Sequence, residues 1–121
     1  MTIATPTKKY TIDAAGKTIG RIAAEAAKAL MGKTGADYTP HIRSNVHVTI
    51  SNASKIYSSE KKRTHTILTH YTGFHGGLKK TSLGQLIEKE GHGAAIRRAV
   101  VRMLPRNTMH TARMKNLVIT E

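Results

Sequence analysis

One stretch of this chain, residues 19–31, constrains the fold more than any other. Apolar side chains recur there every three or four positions, from Ile19 to Met31, and charged side chains fall between them. That spacing places the apolar groups along one side of an α-helix, and Gly32 supplies a helix stop. The sequence therefore predicts one well-defined amphipathic helix in the first third of the chain.

Shorter patterns predict the remaining elements. Alternating or β-rich segments predict strands at 10–13, 46–51, 66–71 and 117–119. Apolar residues at helical spacing predict helices at 83–90 and 96–104, with a further short helix at 108–116. Residues 59–63 are expected to form a short basic turn. This order indicates an α/β domain around a partly parallel sheet, with residues 1–9 as a short N-terminal tail and residues 10–121 as a single domain.

The composition argues for a small core and a polyanionic partner. Leu, Ile, Val and Phe account for 24 of the 121 residues, and the formal net charge is +13. A share of these residues near about 20%, combined with high net charge, lies at the border of intrinsic disorder. We therefore expect a folded but marginal domain whose self-repulsion is offset by nucleic acid or by an anionic membrane surface.

Features that would place the chain outside the cytoplasm are missing from the sequence. Residues 1–7 are polar and no apolar stretch follows Lys8 and Lys9, so no secretory signal is expected. No apolar run approaches the roughly 20 residues of a membrane-spanning helix. The chain has no cysteine, which excludes disulfides, thiol nucleophiles and cysteine-based zinc sites. We therefore expect a soluble cytoplasmic protein.

Two Gly-Lys-Thr triplets, at 16–18 and 32–34, suggest nucleotide binding at first sight. A phosphate-binding P-loop needs another glycine five positions before the triplet, where this chain has Thr11 and Ala27. Neither triplet therefore predicts a P-loop. The first triplet still lies at a strand-to-helix turn, which is compatible with a bound RNA phosphate or with an ordinary solvated turn.

Metal and acid–base sites are also poorly supported. His65, His70 and His75 are spaced by five residues, which suits neither one face of a helix nor a compact metal-binding turn. The seven acidic residues are scattered, and Glu88 and Glu90 lie on different faces of a helix. The sequence therefore predicts a protein without catalytic residues, metal or cofactor.

Basic residues concentrate in the second half of the chain. Between residues 91 and 116 there are six basic residues and no acid, and Arg97, Arg98 and Arg102 lie off the apolar stripe of their helix. A solvated helix face is the ordinary explanation of such charges, but a solvated face usually mixes both signs. We therefore expect this face to contact phosphate groups.

A glycine-rich segment, 71–77, lies between basic clusters at 61–63 and 79–80. Its glycines permit close backbone approach, and its aromatic side chains suit stacking or hydrogen bonding to bases. The whole chain has only four Tyr and one Phe, too few for a platform of successive aromatics. Recognition of RNA shape and phosphates by Lys and Arg fits this composition better.

Six segments, taken in order, carry a family resemblance. They are 13–23 (DAAGKTIGRIA), 38–41 (YTPH), 51–55 (SNASK), 62–64 (KRT), 70–79 (HYTGFHGGLK) and 101–107 (VRMLPRN). Together they resemble the signature of the bacterial large-subunit ribosomal protein L-thirteen family over residues 10–119. The chain departs from that signature at Arg102, where the family motif has glycine, and at 109–111, where the family usually has Leu-Gly-Arg.

The resemblance implies a three-layer α/β/α domain around a four-stranded, mostly parallel sheet. It also implies a non-catalytic structural component of the large ribosomal subunit in the cytoplasm, which binds large-subunit (23S) rRNA, acts early in assembly and has neighbouring ribosomal proteins as partners. The matched residues placed to meet rRNA are Lys17, Arg21, Lys33, Tyr38, His41, Lys62, Arg63, His70, Tyr71, His75, Lys79, Arg106 and Arg113. The charge pattern adds Arg97 and Arg98 to this set.

Two other functions share some of these features. A basic DNA-binding or nucleoid protein has the same charge, but it would bind duplex DNA as tightly as folded rRNA. A small phosphoryl-transfer enzyme that uses residues 16–18 would bind nucleotide, and Lys17→Ala would abolish that binding.

Overall fold

The computed structural model describes residues 7–36 and 38–121. The strands are β1 (Lys8–Asp13), β2 (Val46–Ser51), β3 (Ile67–Tyr71), β4 (Leu78–Ser82) and β5 (Leu117–Ile119). The helices are α1 (Ile19–Met31), α2 (Glu60–His65), α3 (Leu83–Glu90), α4 (His92–Met103) and α5 (His110–Lys115), with a 3-10 turn at Ala53–Lys55. Most of the predicted N-terminal tail, residues 1–6, lies outside the described residues, and β1 begins at Lys8.

The first sheet is parallel throughout and has β2 at its centre. β1 and β5 pair with β2 on either side, which gives the strand order β1-β2-β5. Val48 of β2 lies between Tyr10 of β1 and Leu117 of β5. Parallel neighbours need a crossover connection, and α1 is the helix in the connection between β1 and β2.

The α/β class and the mostly parallel sheet are confirmed, but the expected four-stranded sheet does not form in the described part of the chain. The parallel sheet has three strands, and β3 pairs with β4 in a separate antiparallel hairpin. Gly73 and Gly76, with φ of 90° and 69°, allow the tight reversal that brings these strands together. β4 gives no sequence signal, because its residues, LKKTS, include a single large apolar side chain.

The predicted apolar stripe of α1 forms the centre of the core. Ile22 and Leu30 of this helix are almost completely buried, and α1 packs on β2, whose Val48 and Ile50 are fully buried. The same helix packs against α4. Gly32 ends α1 as predicted, in a left-handed conformation with φ of 83°.

The other helices form close to their predicted places, with two differences. α4 begins at His92, four residues before the first apolar position of its pattern. α2 forms where a basic turn was expected, and it has no buried residue that would reveal it as a helix. Its first turn is stabilised by Ser59, whose side chain accepts a hydrogen bond from the N–H of Lys62 at 3.2 Å. Across 7–36 and 38–121, no helix is both long and apolar enough to cross a membrane.

Candidate nucleic-acid interface

The second half of α4 and the segment after it present several arginines on one surface. Arg97, Arg98, Arg102 and Arg106 line a shallow depression of about 410 Å³, in which Glu90 is the acidic side chain. We call these four arginines the arginine face. Arg98 is half-buried and the other three are exposed. The structure thus brings together the helix arginines singled out by their charge pattern, and Arg106 extends the group beyond the helix.

No ion pair among the described residues compensates the charges of the arginine face, although Glu90 lies in the same depression. Arg98 and Arg102 are four residues apart on α4, a spacing at which like charges repel by about 0.2–0.5 kcal/mol. Within the described part of the chain, the ion pairs resolved are Lys17 with Glu25 and His92 with Glu121. Neither involves the arginine face, so a polyanion would supply the missing negative charge.

Arg98 connects this face to the hairpin. Its Nη2 donates a hydrogen bond to the backbone oxygen of Thr69 in β3, at 3.3 Å. Its Nε is buried and has no hydrogen-bond partner among the described residues. The guanidinium is therefore held in place while one of its donors remains unused.

The β3–β4 hairpin carries four of the predicted RNA-binding residues. His70 pairs with Lys79 across the two strands, while Tyr71 and His75 lie towards the turn. All four side chains are exposed. Tyr71 and the neighbouring Phe74 keep 62% and 77% of their surface accessible, which suits stacking on unpaired bases. Because Arg98 contacts β3, the hairpin adjoins the arginine face.

Lys62 and Arg63 lie on α2 and are both exposed. The Nε of Arg63 donates to the Oγ of Ser58 at 2.7 Å, which orients its guanidinium. Lys62 lines a groove together with Arg98 and Arg102. The short helix that the sequence did not reveal therefore adds a cation to the same side of the molecule as the arginine face.

The first Gly-Lys-Thr triplet forms the turn before α1. The N–H of Gly16 donates to the carbonyl of Lys55 at 3.0 Å, and the N–H of Lys17 donates to the carbonyl of Ala14 at 3.2 Å. Both amides are thus used within the protein and are not available to wrap a phosphate. The Nζ of Lys17 lies 3.7 Å from a carboxylate oxygen of Glu25. This arrangement disfavours a nucleotide-binding loop.

The remaining predicted residues of α1 and its following loop divide between the two ends of the helix. Arg21 is exposed in the first turn. At the other end, the Nζ of Lys33 lies 5.8 Å from the ring centre of Tyr38, within cation–π range, and His41 is exposed nearby in sequence. A helix of 13 residues is about 20 Å long. Lys33 and Tyr38 therefore form a patch separate from Lys17 and Arg21, and His41 follows Tyr38 by three residues.

Arg113 differs from every other predicted site residue, because it is only 2% exposed. Its Nε is buried without a hydrogen-bond partner among the described residues. No spacing in the sequence indicates this burial, because it depends on which side of the short helix α5 packs against the core. The exposed basic surface therefore does not include Arg113.

The histidines with five-residue spacing do not assemble. His65 ends α2, His70 lies in β3 and His75 lies in the hairpin turn, and all three are exposed. In the part of the chain that the structure describes, no three His, Cys, Asp or Glu side chains come together as a metal site.

Comparison with known proteins identifies the family. The profile of the family Ribosomal protein L13 matches residues 7–121. The chain belongs to this family. It is 40% identical over 110 residues to Large ribosomal subunit protein uL13 of Thioalkalivibrio sulfidiphilus. The aligned residues cover 91% of this chain and 77% of that protein. It is 39% identical, with the same coverage, to the uL13 protein of Aeromonas salmonicida.

Members of the L13 family are structural components of the large ribosomal subunit in the cytoplasm, and they are not enzymes. The predicted family, the predicted structural role in the ribosome and the prediction that the chain is not an enzyme are therefore confirmed. The phosphoryl-transfer alternative is wrong, in agreement with the occupied amides of Gly16 and Lys17.

Proposed function

We propose that this chain binds large-subunit (23S) rRNA by contacts of its Lys and Arg side chains with phosphates, and that it stabilises folded rRNA early in subunit assembly. The arginine face carries this proposal, because its cations share one depression with a single acid, Glu90. The net charge of +13 has the sign that such a partner requires. Neighbouring ribosomal proteins are the protein partners expected with it.

The proposed interface is centred on the arginine face and extends to its neighbours. The hydrogen bond between Arg98 and Thr69 places the hairpin on one side, and the groove shared with Lys62 adds α2 and the start of α1. The residues assigned to it are Lys17, Arg21, Lys62, Arg63, His70, Tyr71, His75, Lys79, Arg97, Arg98, Arg102 and Arg106. Lys33, Tyr38 and His41 form a second, smaller contact at the far end of α1.

The proposed interface contains two kinds of contact, which differ in their dependence on salt. Phosphate contacts release counterions, so each should contribute about 0.9 to the slope of log affinity against log salt, the coefficient measured for duplex B-DNA. Stacking by the exposed aromatic side chains Tyr71 and Phe74 adds affinity that depends little on salt. The proposal therefore predicts which variants change the slope and which change only the affinity.

Salt-dependent binding to purified large-subunit rRNA tests the proposal. Arg97→Gln combined with Arg106→Gln should weaken binding and reduce the slope by about 1.8, the sum of two phosphate contacts. The matched control, Lys89→Gln with Lys115→Gln, removes the same charge from exposed positions outside the interface. It should leave the slope nearly unchanged. If both double variants reduce the salt slope equally, net charge alone, and not the arginine face, determines binding.

Two further measurements separate the alternatives. Duplex DNA should compete poorly for the rRNA complex, whereas equal competition would favour a nucleoid protein. For the assembly role, cells depleted of the chain should accumulate incomplete large-subunit particles. Normal maturation without it would remove the assembly part of the proposal and leave rRNA binding intact.

A further inference from the structure

A second depression beside the arginine face has an apolar floor. This groove, of about 250 Å³, opens between the start of α1, α2, β3, α3 and α4. Its floor consists of Ile19, Leu68, Leu83, Ala95 and Ala99. Ile19, Leu83 and Ala95 belong to the hydrophobic core, while Leu68 and Ala99 are only partly buried. Apolar surface therefore remains accessible at the centre of a strongly basic region.

The rim of the same groove is cationic. Lys62, Arg98 and Arg102 line it, and no acidic side chain of the described residues does. The Nε of Arg98 is buried and donates no hydrogen bond within the described residues. The three cations have no counter-ion among the residues that line the groove, so the anionic group of a bound molecule would be favoured there. The groove thus combines an apolar floor with unused positive donors at its edge.

We infer that the groove receives one unstacked nucleotide of the rRNA, with its base on the apolar floor and its phosphate among Lys62, Arg98 and Arg102. This inference rests on the proposed function, because it assigns a specific subsite to the rRNA interface. An apolar cavity of about 150 Å³ holds benzene, so a groove of about 250 Å³ has space for a nucleobase. Unpaired bases of loops and bulges are the parts of folded RNA that proteins take up in this way.

The cations favour a nucleotide over an apolar side chain of a neighbouring protein. An apolar side chain would cover Leu68 and Ala99 but would leave the charges of Lys62, Arg98 and Arg102 without a counter-ion. A phosphate supplies oxygen acceptors for guanidinium and ammonium groups at the same time as the base covers the floor. A nucleotide, which joins a flat ring to an adjacent anion, uses both the apolar floor and the cationic rim of the groove.

Ala99→Leu tests the inference, since it fills the floor without changing any charge. The full chain is bound to purified large-subunit rRNA, and base reactivity is mapped with dimethyl sulfate and carbodiimide. The wild-type chain should protect one unpaired base that Ala99→Leu leaves reactive. Affinity should fall on the order of tenfold, as for the loss of one stacked base, with the salt slope unchanged. Ala112→Leu, at a half-buried position on α5 outside the groove, is the matched control and should keep the protection.

Lys62→Gln provides an independent test, because this exposed side chain contributes little to the fold. It should reduce the salt slope by about 0.9 and increase the reactivity of the same base. If Ala99→Leu protects every base that the wild-type chain protects, and binds rRNA with wild-type affinity, the inference is overturned. The proposed function would still stand. Failure of the wild-type chain to bind rRNA at all would overturn the proposed function.

Discussion

Arg98 donates a hydrogen bond from Nη2 to the backbone oxygen of Thr69, at 3.3 Å and across 29 residues of sequence. The bond joins the middle of α4 to β3, and so fixes the hairpin relative to the arginine face. In the proposed rRNA complex this relation would matter, because phosphate contacts set the position of a protein on RNA. Side chains of the hairpin would then reach the bases from that fixed position.

Arg98→Met should loosen the hairpin, because it keeps most of the apolar stem but removes the bond to Thr69. A hydrogen bond of this kind contributes about 0.5–1.5 kcal/mol, so hydrogen exchange of the β3 amides should accelerate by roughly two- to tenfold. The salt slope of rRNA binding should also fall by about 0.9. Arg97→Met should change the slope alone. Unaltered exchange in Arg98→Met would show that the hairpin is held by other contacts.

Tyr71→Ala should weaken rRNA binding without changing its salt slope. The side chain is 62% exposed in the hairpin, so its removal costs little packing energy, whereas loss of a stacked base costs about 1–3 kcal/mol of binding. Filter binding at several salt concentrations measures both quantities. Val118→Ala is the control, since Val118 is 52% exposed but lies on β5, outside the proposed interface. Equal effects of the two substitutions would argue against a specific role of the hairpin.

Asn52→Gly should raise the pKa of Asp13. The Asp13 carboxylate accepts hydrogen bonds from the Nδ2 of Asn52 and from the N–H of Ala15, and these bonds, that of Asn52 foremost, lower its pKa. A carboxyl group whose pKa is lower in the folded state stabilises the fold at pH values above its ordinary pKa of about 3.9. This contribution is lost as the pH falls through the pKa of the folded state. Glycine avoids backbone strain, because Asn52 has a φ of 58°.

Titration of the Asp13 carboxyl carbon by NMR measures this change directly. Acid unfolding should supply the second readout, because part of the stability lost by the wild-type chain below pH 4 or so should already be missing in Asn52→Gly. An Asp13 titration midpoint that does not move would mean that Ala15 and the neighbouring lysines suffice to hold the carboxylate.

Glu121→Ala should destabilise α4. Gly91 occupies the N-terminal cap of this helix and supplies no side-chain hydrogen bond. The Oε1 of Glu121 accepts instead from the N–H of Gly93 at 3.2 Å, and its Oε2 lies 3.8 Å from the Nδ1 of His92. Loss of such a cap costs about 0.5–1 kcal/mol at an exposed site. Urea unfolding measures the cost. Glu121→Gln keeps an acceptor and should lose less, and an equal loss in both variants would contradict capping by the side-chain oxygen.

The elements that the sequence predicts best are those with an apolar pattern that serves the core. The stripe of α1, its stop at Gly32 and strand β2 follow directly from residue spacing, since burial of one face selects that spacing. α2 and β4 have no such pattern. Every residue of α2 is exposed, and β4 depends on the turn at Gly73 and Gly76, so capping and pairing determine these two elements.

In the candidate site, too, only the part that has a pattern in the sequence could be predicted. A run of basic residues without acids predicts the arginine face, because charge of one sign on a helix needs no knowledge of the fold. The groove beside it could not be predicted, since Ile19, Leu68, Ala99 and Lys62 come from four different elements. The burial of Arg113 was equally hidden, because only the packing of α5 decides which of its sides faces the core.

Strand β5 lies at the edge of the parallel sheet, yet it pairs with the central strand β2 from the opposite end of the chain. During synthesis, one edge of β2 therefore stays open until residues 117–119 emerge, and its N–H and C=O groups are exposed to unintended strands in the meantime. Contacts so distant in sequence also form slowly. The arginine face and the hairpin, in contrast, are complete in sequence before β5 is made. A nascent chain is thus able to present its cations before its own sheet has closed.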